Sequence, residues 1–189
     1  MLAFKGFNSD MTCTLGKGTF KYEIGKTYKE KEANCTRNGF HCCENPLDVL
    51  QWYDNQDSRF CVVKADGEIN QDNVETKISC TELTVVKEVT RLEIAALGCE
   101  YIRRHPKRDD KSEFLIRDRG ECENKSGFII VRGKYPKAKA VNGGTFFLLQ
   151  EEKNTKDIKA IYIGRAGEDG VKPNVYYGIR RQKLCEEKN

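Results

Sequence analysis

Tryptophan, histidine and methionine are scarce in this chain, which has one, two and two of them among 189 residues. No apolar run approaches the ~20 residues that a membrane-spanning helix needs. The first ten residues, MLAFKGFNSD, have neither a basic start nor an apolar core, so we expect no signal peptide. These features favour a cytoplasmic protein over a membrane or secreted one.

The common nucleotide-binding and catalytic motifs are also missing. The GKGTF segment at Gly16 lacks the spacing of a phosphate-binding loop, and GRAGEDG at Gly164 leads to Pro173 and a strand rather than to a helix. No pair of carboxylates stands out as an acid and base. The sequence therefore predicts no cofactor and no catalytic residue, and it favours a protein that is not an enzyme.

Cysteine, in contrast, is plentiful, with nine residues. An odd number without an export signal favours free thiols in a reducing compartment. Four possible zinc ligands lie within nine positions: Cys35, His41, Cys42 and Cys43. Neighbouring Cys42 and Cys43 would point to opposite faces of a strand, so buried free thiols are the preferred interpretation, and no metal is predicted.

The most distinctive stretch is residues 39–63, GFHCCENPLDVLQWYDNQDSRFCVV. Asn45 followed by Pro46 is typical of a helix N-cap and first turn, and the apolar spacing that follows predicts a short helix. A strand is expected over residues 59–65. Four residues at this corner form a candidate pocket: His41, Glu44, Asn45 and Tyr53. Their favoured role, however, is to close the turn and cap the helix.

The alternating patterns predict an α+β fold that is predominantly β, with antiparallel strands and one or two short helices in two modules. We expect an N-terminal α+β module over residues 1–88, a helix and charged insert over 89–126, and a basic β-rich module over 127–189. Asp66-Gly67 predicts a tight turn. Residues 103–127 predict an exposed flap around a short strand, and Gly127, Gly133 and residues 137–140 are compatible with a short β-roll turn.

Charge is distributed unevenly along the chain. Residues 1–88 carry 11 basic and 14 acidic side chains, whereas residues 89–189 carry 22 and 15. A positive module favours an acidic or nucleic-acid-like partner. The candidate contact residues are basic side chains around the charged insert, where Asp109 and Asp110 partly cancel them: Arg103, Arg104, Lys107, Arg108, Arg117, Arg119 and Arg132. The predicted partner is a host protein or ribonucleoprotein complex, with nucleic acid possible and no membrane.

Several motifs occur in order and together resemble an uncharacterised family of bacteriophage and prophage proteins. They are FKGFNSDMTC, YEIGKTYKE, the GFHxCENP-type segment GFHCCENPLDVLQWY, RFCVVKADGEI and a closing β segment with a KPxxxY-type motif, KPNVYY. Members often carry small-residue repeats of a β-solenoid kind between the two ends. The resemblance implies a mobile-element origin and a host-cell cytoplasm. We therefore expect an accessory protein that binds and inhibits a host defence factor, of an anti-CRISPR or other anti-defence type.

Two other functions remain open. The order of strands and helix also resembles ADP-ribosyltransferases, which grip NAD between such strands and use a Glu from a later strand. Lys5 stands where those enzymes use His or Arg, and the acid would be Glu68 or Glu82. The third possibility is a structural component of the virion, which would assemble as a symmetric oligomer.

Overall fold

The computed structural model describes residues 1–14, 18–35, 37–53, 55–71, 76–108 and 111–187. The chain divides into two compact units, Met1–Ile94 and Ala95–Asn189. Most strand pairings in the described ranges are antiparallel, and one α-helix and one 3-10 helix accompany them. The predominantly β, mainly antiparallel fold is thus confirmed. No helix in these ranges combines the length and apolar character needed to cross a membrane.

The first unit is built on a ring of four strands. Strand β1 pairs with β6, β6 with β7, β7 with β5, and β5 closes the ring onto β1 at Phe4 and Cys43. The elements are β1 Leu2–Phe7, β2 Thr12–Cys13, β3 Phe20–Lys21, β4 Thr27–Lys29, β5 Phe40–Cys43, the 3-10 helix Pro46–Gln51, β6 Arg59–Gln71, β7 Lys77–Val89 and the helix α1 Arg91–Arg104, which lies in the other unit from Ala95 onward.

Alternate residues of these strands fill the interior of the ring with apolar side chains, among them Phe7, Val63 and Ile78. Lys5 also lies inside and is only 8% exposed. Its ammonium donates a hydrogen bond to the carbonyl oxygen of His41 at 2.7 Å and lies 5.3 Å from the centre of the Tyr22 ring. A buried ammonium needs such compensation, which a carbonyl and an aromatic face provide here.

A network of hydrogen bonds between buried polar side chains fixes the corner between β5 and the 3-10 helix. Asn45 caps the helix, because its Oδ1 accepts from the Leu47 amide at 3.1 Å. The side-chain nitrogen Nδ2 of Asn45 donates to Asp48 Oδ1 at 3.1 Å, and Asp48 Oδ2 accepts from the Thr76 hydroxyl at 2.5 Å. The predicted cap and helix are confirmed, although the helix is of the tighter 3-10 type.

The predicted turn at Asp66-Gly67 is wrong, because both residues lie within the 13-residue strand β6. The pairing of β6 with β7 shifts register between Asp66 and Ile69, and Gly67 takes a φ of +70° there. The Glu68 amide donates to the hydroxyl of Thr81 on β7. Pairing with β7 therefore accommodates Gly67 in a β-bulge, and the strand continues through it.

In the second unit, three strands that follow one another along the chain pair in parallel. β9 pairs in parallel with β8 on one side and with β10 on the other, so the chain winds as a short roll. Antiparallel strands β11 and β12 then pair with β10 and β9. The elements are β8 Leu115–Cys122, β9 Phe128–Ala140, β10 Thr145–Glu151, β11 Ile158–Arg165, β12 Tyr177–Arg180 and β13 Lys183–Glu186.

Two expectations need correction here. The parallel pairs depart from the antiparallel arrangement that was predicted. Residues 103–127 are not an exposed flap around a short strand, because eight of them form β8, which pairs along β9. Contacts place the boundary between the two units after Ile94, and the three predicted segments stay a prediction.

Close approach inside the roll requires small residues. A Cβ added at the buried Gly120 would lie 2.8 Å from Val131 Cγ2 and 3.3 Å from Ile129 Cγ1. Ala138 and Ala140 fill neighbouring interior positions on β9. Two sides of the roll can therefore pack at a distance that larger side chains would prevent.

Gly120→Ala should destabilise the protein. The added methyl group overpacks the interior at a cost of about 1–3 kcal/mol, which exceeds the ~0.4–1 kcal/mol gained from a less flexible unfolded chain. The free energy of unfolding, measured by urea titration and circular dichroism, should fall by about 1–2 kcal/mol. Lys183→Ala, at an exposed site, is the control; an equal loss in both variants would contradict close packing at Gly120.

Candidate functional site

Two arginines stand side by side on neighbouring strands of the second unit. Arg117 on β8 is in register with Arg132 on β9. Adjacent like charges in a ladder repel one another, and the position requires an acid between them. Glu151, at the end of β10, supplies it: Arg117 donates to both of its carboxylate oxygens at 3.0 and 2.9 Å, and Arg132 Nε donates to Oε1 at 2.7 Å.

Arg132 also ties two loops to the sheet. Its Nη2 donates to the carbonyl oxygen of Lys156 at 2.9 Å and to that of Pro106. The segment after α1 and the loop between β10 and β11 therefore meet above one guanidinium group. The Arg132 side chain is 5% exposed, so its prediction as a partner contact is wrong: its donors are used inside the protein.

Arg132 and Glu151 together form a tie that fixes three segments of the chain. Four exposed cations lie on these segments or next to them. We name them the basic corner, defined by Lys107, Arg108, Arg117 and Lys156. Arg117 remains 58% exposed although it binds Glu151. Lys107 and Arg108 follow Pro106 directly. The predicted contacts Lys107, Arg108 and Arg117, and also Lys156, thus belong to segments that are held at Arg132 or Glu151. Asp109 and Asp110 lie outside the described residues.

The electrostatics of the tie favour an ionised Glu151. Burial works against its charge, but the hydrogen bonds from Arg117 and Arg132 outweigh burial and lower the pKa of Glu151 below the ordinary glutamate value. One carboxylate shared by two guanidinium groups leaves a net positive charge. The rigid base of the basic corner is therefore itself cationic.

Arg103 and Arg104 occupy a different environment on α1. Both bind Glu100: Arg103 through two hydrogen bonds of 2.7 Å and Arg104 through one of 2.8 Å. These hydrogen bonds lower the pKa of Glu100 to about 2. Both arginines are exposed, and the shared glutamate offsets part of their charge.

Arg119 does not belong with Arg117, despite its spacing of two residues. Asp118 between them takes a φ of +62°, and the pairing of β8 with β9 shifts register there. Arg119 instead stacks on the Tyr176 ring at 3.8 Å, and the Tyr176 hydroxyl donates to Glu121. A shallow cleft of about 340 Å³ lies beside this cluster, with Glu121 and Lys139 in its lining.

The candidate pocket residues of the first unit serve the corner itself. Asn45 is 2% exposed and caps the helix, while Tyr53 is 9% exposed and packs against Gly6. Glu44 Oε1 accepts from Gln71 Nε2 at 2.7 Å. His41 is partly buried, and its carbonyl oxygen receives the Lys5 ammonium.

The residues suggested by the ADP-ribosyltransferase resemblance do not converge on one site. Lys5 points into the ring, whereas Glu68 is exposed and Glu82 binds the exposed Lys29 at 2.9 Å. None of the nine cysteines, all of which lie in described ranges, forms a disulfide bond. In the ranges that the structure describes, no group of three or more His, Cys, Asp or Glu is placed to hold a metal ion.

Sequence reasoning missed Glu151 and Lys156. A signal for Glu151 was present: residues 124–150 contain no acidic side chain, and Glu151 follows the buried run FFLLQ much as Arg132 follows FIIV. Opposite charges that continue two apolar runs indicate a buried pair. Lys156 lies in a charged loop and had no such signal.

Fold and site together define a two-unit β protein with a ring of strands, a short parallel roll and a cationic surface on the roll. Residues 1–97 match the family described as a domain of unknown function (DUF7666). This is more than half of the chain, which therefore belongs to that family. The match covers the first unit, and the basic corner lies beyond it. No curated protein and no solved structure matches the chain.

Glu151→Gln should destabilise the second unit strongly, because it leaves buried Arg132 without its counter-charge. We expect a loss of about 3 kcal/mol in unfolding free energy by denaturant titration at pH 7. Because the folded pKa of Glu151 is lowered, the wild-type contribution is complete above about pH 4.3 and is lost as pH falls through the folded value.

The matched control is Glu100→Gln, since Glu100 also binds two arginines but lies on the surface. Solvent screening should limit its loss to less than about 1 kcal/mol. Similar losses in the two variants, or an unchanged acid sensitivity in Glu151→Gln, would contradict the role given to the buried pair.

Proposed function

We propose that this chain is an accessory protein of a bacteriophage or other mobile element, which binds and inhibits a host defence factor. The defence factor is of the CRISPR type or another antiviral type, and the interaction takes place in the host cytoplasm. The basic corner makes the contact, and the partner is a host protein or ribonucleoprotein with an acidic or nucleic-acid-like surface.

The observation that supports the proposal most is that the segments carrying Lys107, Arg108, Arg117 and Lys156 are all held by the pair of Arg132 and Glu151. Exposed cations on separate loops lose conformational freedom when they bind, which weakens association. Here the backbones of two of the three segments are already fixed by hydrogen bonds to Arg132, and the Arg117 guanidinium by Glu151. The corner is thus preorganised for an anionic surface.

The charges of the two units also support binding to an anionic partner. Residues 95–189 carry 21 basic and 14 acidic side chains, while residues 1–94 carry 12 and 15. An uneven field of this kind steers oppositely charged partners and raises association rates. The resemblance to phage and prophage proteins supplies the biological setting of the proposal.

Binding to the defence factor should depend on the basic corner. The partner is first captured from host lysate on the wild-type chain and identified by mass spectrometry, and its Kd is then measured by calorimetry. The triple variant Lys107→Glu, Arg108→Glu, Lys156→Glu should raise the Kd by at least about tenfold, and more at low salt. Arg117 stays unchanged, which preserves the Glu151 tie.

The control makes the same change of charge elsewhere on the second unit: Lys125→Glu, Arg181→Glu, Lys183→Glu, all exposed. It should bind nearly as well as the wild type. Expression of the wild type in a host with an active defence system should restore phage plating, and the corner variant should not. If both triple variants weaken partner binding equally, the contact assignment is overturned. If the wild type leaves the immunity of the host unchanged, the proposed inhibitor function is overturned.

The same preparation separates the two other candidate functions. An enzyme of the ADP-ribosyltransferase kind would transfer label from NAD to a captured protein, and changing Glu68 or Glu82 would abolish the transfer. A structural component would be found in purified virions. Either result would replace the inhibitor as the function of the chain.

A further inference from the structure

The sheet of the second unit ends in three edge strands of different character. β8 is an edge with the exposed charges Arg117, Asp118 and Arg119 and an irregular register. β13 is only four residues long and has Lys183 and Glu186 at its ends. Charge, irregularity and shortness are the usual protections of an edge against pairing with another chain.

β11 is less protected, although it has a charged residue near each end and its pairing with β10 shifts register between Gln150 and Glu151. It is eight residues long, and the five residues between Lys159 and Arg165, AIYIG, carry no charge and no proline. Among the described residues it pairs with β10 alone. Ile163 is 57% exposed, an unusual degree for an isoleucine within a strand. This edge is therefore an open template for another strand.

The register with β10 shows which backbone groups are available. The Ala166 amide donates to the carbonyl oxygen of Gly144, which extends the register that pairs Thr145 with Arg165. Hydrogen-bonded pairs alternate in an antiparallel ladder, so Gly164 and Tyr162 face β10. Ile161, Ile163 and Arg165 accordingly present their N–H and C=O groups to the open edge.

We propose that β11 binds an extended segment of the partner protein by strand addition, and that this segment is apolar in the middle and acidic at both ends. The segment would lay apolar side chains beside Ile161 and Ile163 and its acids beside Lys159 and Arg165. This inference deepens the proposed function, on which it rests, because it assigns the partner contact to a protein strand.

Charge complementarity selects this occupant. Arg165 binds the exposed Glu168 at 3.4 Å, but such a surface pair is worth ~0–1 kcal/mol and yields to a better placed acid. A second copy of the chain fits less well, because full antiparallel overlap of two β11 strands places Lys159 opposite Arg165. Nucleic acid has no row of backbone donors and acceptors with which to extend a sheet.

The probe is the peptide Glu-Thr-Val-Thr-Val-Thr-Glu, titrated into the full-length chain and followed by NMR. The amides of Ile161 and Ile163 should shift and become protected from hydrogen exchange. Ile163→Lys, which removes an apolar contact and places a charged side chain opposite the apolar middle of the peptide, should raise the peptide Kd by about fivefold. Ile116→Lys on β8, also exposed, is the matched control and should bind as the wild type does.

Two control peptides separate charge from backbone pairing. The version with lysine at both ends should bind more weakly, and a version with N-methyl groups on the paired edge should not protect the amides. The proposal is overturned if no protection develops, if all three peptides act alike, if protection rises with protein concentration alone, or if an oligothymidylate produces it instead.

The proposed function and this inference can fail separately. In binding to the captured partner, loss in both the basic-corner variant and Ile163→Lys supports the strand-addition surface. Loss in the basic-corner variant alone, with full binding by Ile163→Lys, overturns the inference and leaves the proposed function standing. Retained binding in the basic-corner variant overturns the contact that the proposed function requires.

Discussion

The second unit depends on one buried carboxylate that two arginines share. Without Glu151, the parallel register that sets Arg117 beside Arg132 would place two positive charges one strand spacing apart, with one of them inside the protein. The energetic requirement is severe, because an uncompensated buried charge costs several kcal/mol. The same groups hold two surface loops in place, so stability and the layout of the surface have a common origin.

The two units use buried polar groups in different ways. In the first unit, Asn45, Asp48 and Thr76 satisfy one another and hold a tight corner, and Lys5 is compensated by a carbonyl group and aromatic rings. These groups are turned inward. In the second unit the buried pair supports cations that remain exposed. The family match covers the first unit, so the proposed recognition surface lies in the part of the chain beyond that match.

Local chemistry was readable from the sequence, whereas long-range chemistry was not. Asn45-Pro46 predicted its cap because every participant lies within three residues. Asp66-Gly67 was misread because the bulge that contains it depends on Thr81 in another strand. Arg132 was misplaced on the surface because its partner lies 19 residues away. The strand β8 was underestimated since its outward face is charged, and charge alone does not distinguish an edge strand from a loop.

The parallel stacking also bears on how the length of such a chain can change. Phe128 lies beside Thr145, so the winding from β9 to β10 takes 17 residues, and six residues of each strand pair in one register. An insertion of one winding with small interior residues would find pairing partners at once and would lengthen the roll without disturbing either end. Growth by whole windings is thus open to this architecture, whereas an insertion of a few residues would break the register.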